Sequence, residues 1–397
     1  MAVPGYGRPR PGEPVGTLTG DVDVRPTWER QSAQAGGAIE RPAWPGSAMN
    51  GVEKVLLAEP RGFCAGVEMA IKAMAWMVRA FEPPVYCYHE IVHNQLIVER
   101  FERQGVVFVD DIADVPAGHP IMLSAHGSAP EVVDAARARG SYVVDSVCPL
   151  VTKVHHEVRV RSGKGYRIVY VGHDGHEEAI GTMAVAPDAI SRVESVAEVE
   201  ALEQFTEPVA LLAQTTLSHR DWNDVAVAVK QRYPDAWTPG RSDLCFATTN
   251  RQSALMELAA RCGAIVVIGS ANSSNTRALE KLAREAGCDR VARVNTAAEI
   301  PAEFFDPSLV VGVTAGASAP NEVVEQVIST LSPRHGVELV RVTEEDEYFP
   351  PPRKLRDLQA AIEISATAMV GGAPADGQRI DDRRLGASTV LAALAAG

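Results

Sequence analysis

The chain has 397 residues, with 38 Lys and Arg against 51 Asp and Glu for a formal net charge of -13, and 46% of its residues are hydrophobic. That acidity argues against a nucleic-acid binder, and so much apolar material can bury a sizeable core, which excludes wholesale disorder and a small disulfide-stapled scaffold. Length suggests about two to three domains at roughly 150 residues each.

Residues 1–50 hold 7 Pro and 8 Gly, the composition of a disordered extension, and are set apart from the fold. From there a pattern recurs in chain order: a short Val, Ile and Leu run, a loop of small polar residues, then a helical stretch. The apolar runs are Val55 to Leu57, Ile121 to Leu123, Ile168 to Val171, Val209 to Leu212, Ile265 to Ile268 and Val310 to Val313, with a further strand over Val85 to Tyr88. Such runs, bounded by turn signals and alternating with helical patterns, read as buried parallel strands of βαβ units, so the fold class is α/β. Ser124 to Val133 echoes Thr314 to Val324, a hint of duplicated subdomains. From about Ser365 the chain turns to Ala, Gly and Asp without a clear apolar period, which reads as a tail. No apolar run approaches the roughly 18 to 20 residues of a membrane span, and Met1 to Pro14 lacks a signal peptide's charged head and apolar core; no membrane association and a cytoplasmic location are expected.

In open α/β sheets ligands bind beyond the carboxyl ends of the strands, and helix N-termini there attract anions through free amides and the helix dipole. The polar residues of this chain fall at such places: Cys64, His126, His173, His176, Thr215, Thr216, Ser273 to Asn275 and Ser318. A phosphate-bearing substrate follows, although neither GxxxxGK[ST] nor GxGxxG is present to indicate a nucleotide. Singly, each Ser or Asn is as well explained as a helix cap, and each His as a surface or satisfied core residue.

Six cysteines are spread along the chain with no CxxC pair, which argues against a disulfide framework and a zinc finger. Cys87, in a strand, and Cys262 and Cys288, after helices, read as structural. Cys64, Cys148 and Cys245 sit at element boundaries among small or polar neighbours, where ligation and a structural role are both open. Three distant thiolates suit an iron–sulfur cluster better than zinc, which takes four ligands at short paired spacings, and three protein ligands would leave one iron open as a Lewis acid.

Nine segments together give a resemblance. Pro60 to Val67 (PRGFCAGV), His89 to Asn94 (HEIVHN), Ser124 to Gly127 (SAHG), Cys148 to His155 (CPLVTKVH), Gly172 to His176 (GHDGH), Gln214 to Ser218 (QTTLS), Ala247 to Gln252 (ATTNRQ), Asn272 to Asn275 (NSSN) and Val313 to Ser318 (VTAGAS) closely resemble the 4-hydroxy-3-methylbut-2-enyl diphosphate reductase (IspH or LytB) family, over about residues 52–350. The resemblance implies three similar α/β subdomains with small, mostly parallel sheets, arranged as a trefoil around a central cavity. Their expected spans are 51–148, with the first strand and Cys64 loop packing with the third subdomain, then 149–240 and 241–335, followed by a C-terminal segment and disordered tail over 336–397.

By the same resemblance, Cys64, Cys148 and Cys245 would ligate a 4Fe-4S cluster with one open iron. Glu178 would deliver a proton with Thr215 and His176 in its relay, and His93, His126, His176, Ser273, Ser274, Asn275 and Ser318 would bind diphosphate. The implied reaction removes the substrate's allylic hydroxyl as water with two electrons and two protons, giving isopentenyl and dimethylallyl diphosphates, with electrons from a ferredoxin or flavodoxin-type donor. Glu59, Met69, Ser146-Val147 and Ala184 depart from the family's usual pattern. A cluster-binding redox sensor is the competing reading, against which the Glu178 and Thr215 pair speaks, and a histidine-based metal hydrolase lacks a paired-ligand signature.

Overall fold

The computed structural model describes residues 51–370 and 382–395; the expected N-terminal extension lies outside them. The chain enters with β1 (Lys54–Glu59) and α1 (Ala65–Ala80). A first sheet unit follows: β2 (Val85–Tyr88), α2 (Gln95–Glu102), β3 (Val106–Val109), β4 (Pro120–Leu123), α3 (Pro130–Arg139) and β5 (Tyr142–Asp145). The next comprises α4 (Pro149–Gly163), β6 (Arg167–Val171), α5 (Glu177–Met183), β7 (Ile190–Val193), α6 (Val196–Ala201), β8 (Val209–Ala213) and α7 (His219–Arg232). The last comprises α8 (Phe246–Ala259), β9 (Ala264–Ile268), α9 (Ser274–Glu285), β10 (Arg290–Val294), β11 (Val310–Ala315), α10 (Asn321–Leu331) and β12 (Val337–Arg341), after which come α11 (Arg353–Val370) and α12 (Ala387–Ala395).

The strands form three sheets, ordered β3-β2-β4-β5, β7-β6-β8 and β10-β9-β11-β1-β12, with every neighbouring pair parallel. The architecture is therefore α/β with three small parallel sheets. β1, although first in sequence, lies between β11 and β12 in the third sheet. The inner strands β9 and β4 are buried throughout, because helices cover both faces of a parallel sheet.

A structural repeat underlies the three sheets. β1 pairs with β11, β5 pairs with β4, and the stretch from Trp237 to Cys245 runs beside β8 through a parallel bridge at Ala210 and Trp237. Each of these three paired segments ends in a cysteine that starts a helix: Cys64 before α1, Cys148 before α4 and Cys245 before α8.

The C-terminal end corrects one expectation. Where it is described, the stretch after Ser365 includes the end of α11 and the whole of α12, and Ala387, Leu391 and Leu394 of α12 are buried against the core that contains α1. Their spacing of four and three residues is one helical face, concealed in the sequence by an Ala-rich run only nine residues long. Lys72 of α1 is buried and donates to the Asp382 carbonyl (2.9 Å) and carboxylate (3.1 Å), and Glu68 accepts the Ala387 amide at 2.7 Å.

Candidate active site

The cysteine loops are held by continuing the parallel ladders past the strand ends. The Cys64 amide donates to the Ala317 carbonyl (3.1 Å), that of Cys148 to Ala125 (3.0 Å) and that of Cys245 to Thr215 (2.8 Å). Each acceptor is a polar residue expected in the site or the immediate neighbour of one, since Ala317 precedes Ser318 and Ala125 precedes His126. Buried Arg251 of α8 fixes the first loop, donating to the Gly62 carbonyl at 2.7 Å, to Ala247 at 2.8 Å and to the Glu345 carboxylate at 3.0 Å. Gly62 has φ 67°, a left-handed conformation that glycine adopts freely.

The sulfurs of Cys64 and Cys148 are close neighbours, since a Cβ on Gly66 would meet them at 3.9 and 2.9 Å. Burial, and then Cys64, pushes the Cys148 thiol far up and the Cys245 thiol up to about 12, while the amides of Leu150 and Val151, and of Ala247 and Thr248, favour the two thiolates from the helix starts. Helix-end amides at buried thiols fit an iron–sulfur group, whose positive charge would favour deprotonation.

Beside the cysteine loops lies a histidine cradle. His93 and His126 stack with ring centroids 3.8 Å apart and an interplanar angle of 12°, and His176 meets His93 edge-on at 5.3 Å. Ser318 Oγ donates to the His93 carbonyl at 2.9 Å. Ser273 caps α9 by accepting the Thr276 amide, and Ser274 Oγ accepts from Gln214 Nε2 at 3.4 Å, which links α9 to the loop after β8. Both ring nitrogens of His93 and both amide atoms of Asn275 are buried with no hydrogen-bond partner. His93 Nδ1 lies 3.6 Å from Glu90, an ion-pair distance too long for a hydrogen bond. Leaving such groups unpaired costs about 1–3 kcal/mol each, a penalty that a polar ligand removes.

Glu178 is 2% exposed, which excludes the solvated surface pair that its position beside Glu177 would otherwise suggest. Thr215 grips it twice: the amide donates to Oε1 at 2.7 Å and the hydroxyl to Oε2 at 2.9 Å. Burial nevertheless raises its carboxyl to about 7 against those bonds, with Asp243 adding to the rise. The Glu178 amide donates to His176 Nδ1 at 3.1 Å. Burial, and then His93 and His126, lowers His176 to about 3, so it is neutral and carries its proton on Nε2.

The structure thus gathers His93, His126 and His176, sets Glu178 and Thr215 against them, and ties Ser318 and Ser274 in by hydrogen bonds. Glu177, Gln214 and Arg251 are additions. Gln214 and Arg251 lie within the resembling segments without an assigned role, whereas nothing local in the sequence marks Glu177.

The sequence profile of the family described as LytB protein matches residues 55–332. The chain is 46% identical over 312 residues to the 4-hydroxy-3-methylbut-2-enyl diphosphate reductase of Rhodopirellula baltica, covering 77% of this chain and 97% of that protein. It is 42% identical over 308 residues to the enzyme of the same name from Streptomyces coelicolor, covering 76% and 90%. The solved structure of the E-1-hydroxy-2-methyl-but-2-enyl-4-diphosphate reductase from Plasmodium falciparum superposes with a TM-score of 0.75 at 30% identity, over 79% of this chain and 99% of that one.

Proposed function

The chain belongs to the LytB protein family, and from that membership we propose that it reduces 4-hydroxy-3-methylbut-2-enyl diphosphate. Two electrons and two protons replace the allylic hydroxyl, releasing water and giving isopentenyl and dimethylallyl diphosphates, the last step of the non-mevalonate route to isoprenoids. The observation that carries the reading is Glu178, a buried carboxyl held by Thr215 and raised to about 7. A cluster-binding sensor needs cysteines but no buried acid poised to titrate near neutrality.

The family binds an iron–sulfur cluster, and in the proposed assignment Cys64, Cys148 and Cys245 hold a 4Fe-4S cluster. When bound, the cluster supplies the electrons and, at an iron without a protein ligand, Lewis acidity toward the hydroxyl. Hydroxide is a poor leaving group, so the protein must supply an acid at the hydroxyl, and Glu178 holds a proton for it. The Thr215 hydroxyl donates to the ionised Glu178 and can accept from the protonated form, which lets the pair take up a new proton without moving the backbone. Neutral His176 donates through Nε2, while His93, His126, Asn275, Ser273, Ser274 and Ser318 cradle the diphosphate, whose oxygens accept from the orphaned donors. In this reading electrons arrive from a ferredoxin or flavodoxin-type protein in the cytoplasm.

The test is anaerobic turnover of the allylic diphosphate by cluster-loaded protein with a chemical one-electron reductant. Formation of both C5 diphosphates supports the reductase; a fully loaded cluster without turnover refutes it in favour of the sensor.

A further inference from the structure

Glu177 lies on α5 immediately before the proposed proton donor, yet its carboxylate faces the histidines of another sheet unit. Oε2 is 2.7 Å from His126 Nδ1 and Oε1 is 3.8 Å from His89 Nδ1. Only 21% of the side chain is exposed. Burial alone would raise this carboxyl, but the hydrogen bond to His126 and the charges of His126, His93 and His89 outweigh that and hold it at about 2.

We propose that Glu177 is a positioning residue for the diphosphate, fixing His126 with its Nδ1 proton on the carboxylate and its Nε2 free to donate to the ligand, and clamping α5 to the loop after β4. This rests on the diphosphate-reductase reading and deepens it by assigning the group that prepares His126.

The chemistry follows from the donor inventory. An ionised carboxylate only accepts, so His126 must donate from Nδ1. A diphosphate oxygen also only accepts, so His126 can serve it through Nε2 only as the doubly protonated imidazolium. An unshielded carboxylate near a diphosphate would repel it; with the imidazolium between them, Glu177 instead stabilises the cation that the ligand needs, as carboxylates orient histidines at metal sites. His93 is stacked on His126, and burial and then His126 lower it from the ordinary imidazole value, so of the two rings the charge is favoured on His126 beside Glu177.

Other titratable groups face the pair from both sides. Tyr88, His89, Glu90 and His93 come from β2 and the loop after it, His89 being 3.5 Å from Asp110, and His173 and His176 come from the approach to α5. The helix clamp is close-packed as well: a Cβ on Gly181 of α5 would approach the Gly127 carbonyl to 2.7 Å.

Three variants of the anaerobic, cluster-loaded protein separate charge from geometry. Glu177→Gln keeps an acceptor for Nδ1–H but loses the charge, Glu177→Ala loses both, and Glu177→Asp restores the charge. Inorganic diphosphate binding is measured by calorimetry from pH 6 to 9, in buffers of differing ionisation enthalpy so that protons taken up on binding are counted, beside KM and kcat for the allylic substrate. The expectation for Gln is about a tenfold rise in both Kd and KM, the scale of one charge-assisted hydrogen bond. With it should come kcat within about twofold, more protons taken up per diphosphate bound, a larger rise in Ala and partial recovery in Asp. Unchanged Kd and proton uptake in Gln and Ala overturns the proposal, as does a loss confined to kcat. Because calorimetry needs no turnover, wild-type protein that binds diphosphate without reducing the substrate would sink the reductase reading while leaving Glu177 independently tested.

Discussion

Replacing Glu178 with Gln removes one proton from the site while keeping its shape, and the structure sets the size of two opposing effects. With a carboxyl at about 7, about half of the molecules carry the proton at pH 7, about nine-tenths at pH 6 and about a tenth at pH 8. Wild-type turnover should therefore fall about tenfold per pH unit above 7, and Glu178→Gln should lose about 10²- to 10⁴-fold in kcat with its alkaline limb abolished. Stability should move the other way. The folded protein holds this proton more tightly than the unfolded chain, whose carboxyl titrates near 4.5, so the contribution present below about 4.5 is lost as pH rises toward about 7. The loss is on the order of 3 kcal/mol at pH 8. Gln has no such charge to bury and can still pair with Thr215, so the variant should resist denaturant better than wild type at pH 8 and match it near pH 4. Product analysis and urea titrations at the two pH values measure both. Retained turnover, or a variant no more stable at pH 8, would refute the account of Glu178 as a desolvated acid.

Ser substitution at Cys64, Cys148 or Cys245 should each cut bound iron and the visible absorbance near 400 nm, whereas Ser at Cys262 or Cys288 should leave iron content intact; iron retained in the first group would void the ligand assignment. Arg251→Met removes the charge partner of Glu345, leaving it only the Asn250 amide, and takes the guanidinium from the Gly62 carbonyl, and should cost about 3 kcal/mol by thermal melting. It should also loosen cluster retention, because the Gly62 carbonyl belongs to the Cys64 loop. Leu391→Ala, in a helix buried on α1, should lower the denaturation midpoint by the equivalent of about 2 kcal/mol; no change would mean that α12 does not stay docked in solution.

How much of this was legible in sequence depended on burial from both sides. The inner strands β1, β4, β6, β9 and β11 are near-continuous apolar runs because helices cover both faces, and they stand out as such. The strands that the pattern missed, β3, β5, β7, β10 and β12, are all sheet edges. Except in β3, an all-apolar VVFV run, their solvent-facing positions are polar or mixed, as in β12, where Val340 alone is buried, and a four- or five-residue run with one or two core positions carries no readable period. β8 is the informative exception. It is an edge by strand order, yet buried throughout, because the Trp237 stretch donates to and accepts from it through Leu211 and Val209, and it was therefore visible. Glu177 was invisible for another reason: its partners, His89 and His126, are 88 and 51 residues away in a different sheet unit, and no local pattern reports a contact made by tertiary packing.

The echo between Ser124 to Val133 and Thr314 to Val324 has a physical origin in the cysteine-bearing segments. Two residues before each cysteine, the ladder makes another bond: the Gly62 amide to Ala315, the Ser146 amide to Leu123 and, with polarity reversed, the Ala213 amide to the Asp243 carboxylate at 3.2 Å. Bonds at alternate residues are the signature of parallel pairing. Each sheet therefore delivers, at the carboxyl end of one strand pair, a cysteine opening a helix on one member and a loop of polar residues on the other. Three such ends set each cysteine beside the loop that carries Ser318, His126 or Thr215. In the third copy a side chain replaces the backbone acceptor, and that side chain, Asp243, is also the group that helps raise Glu178. The unit that breaks the repeat is the one that carries the proposed proton donor, so the departure from symmetry falls where the chemistry requires a single acid.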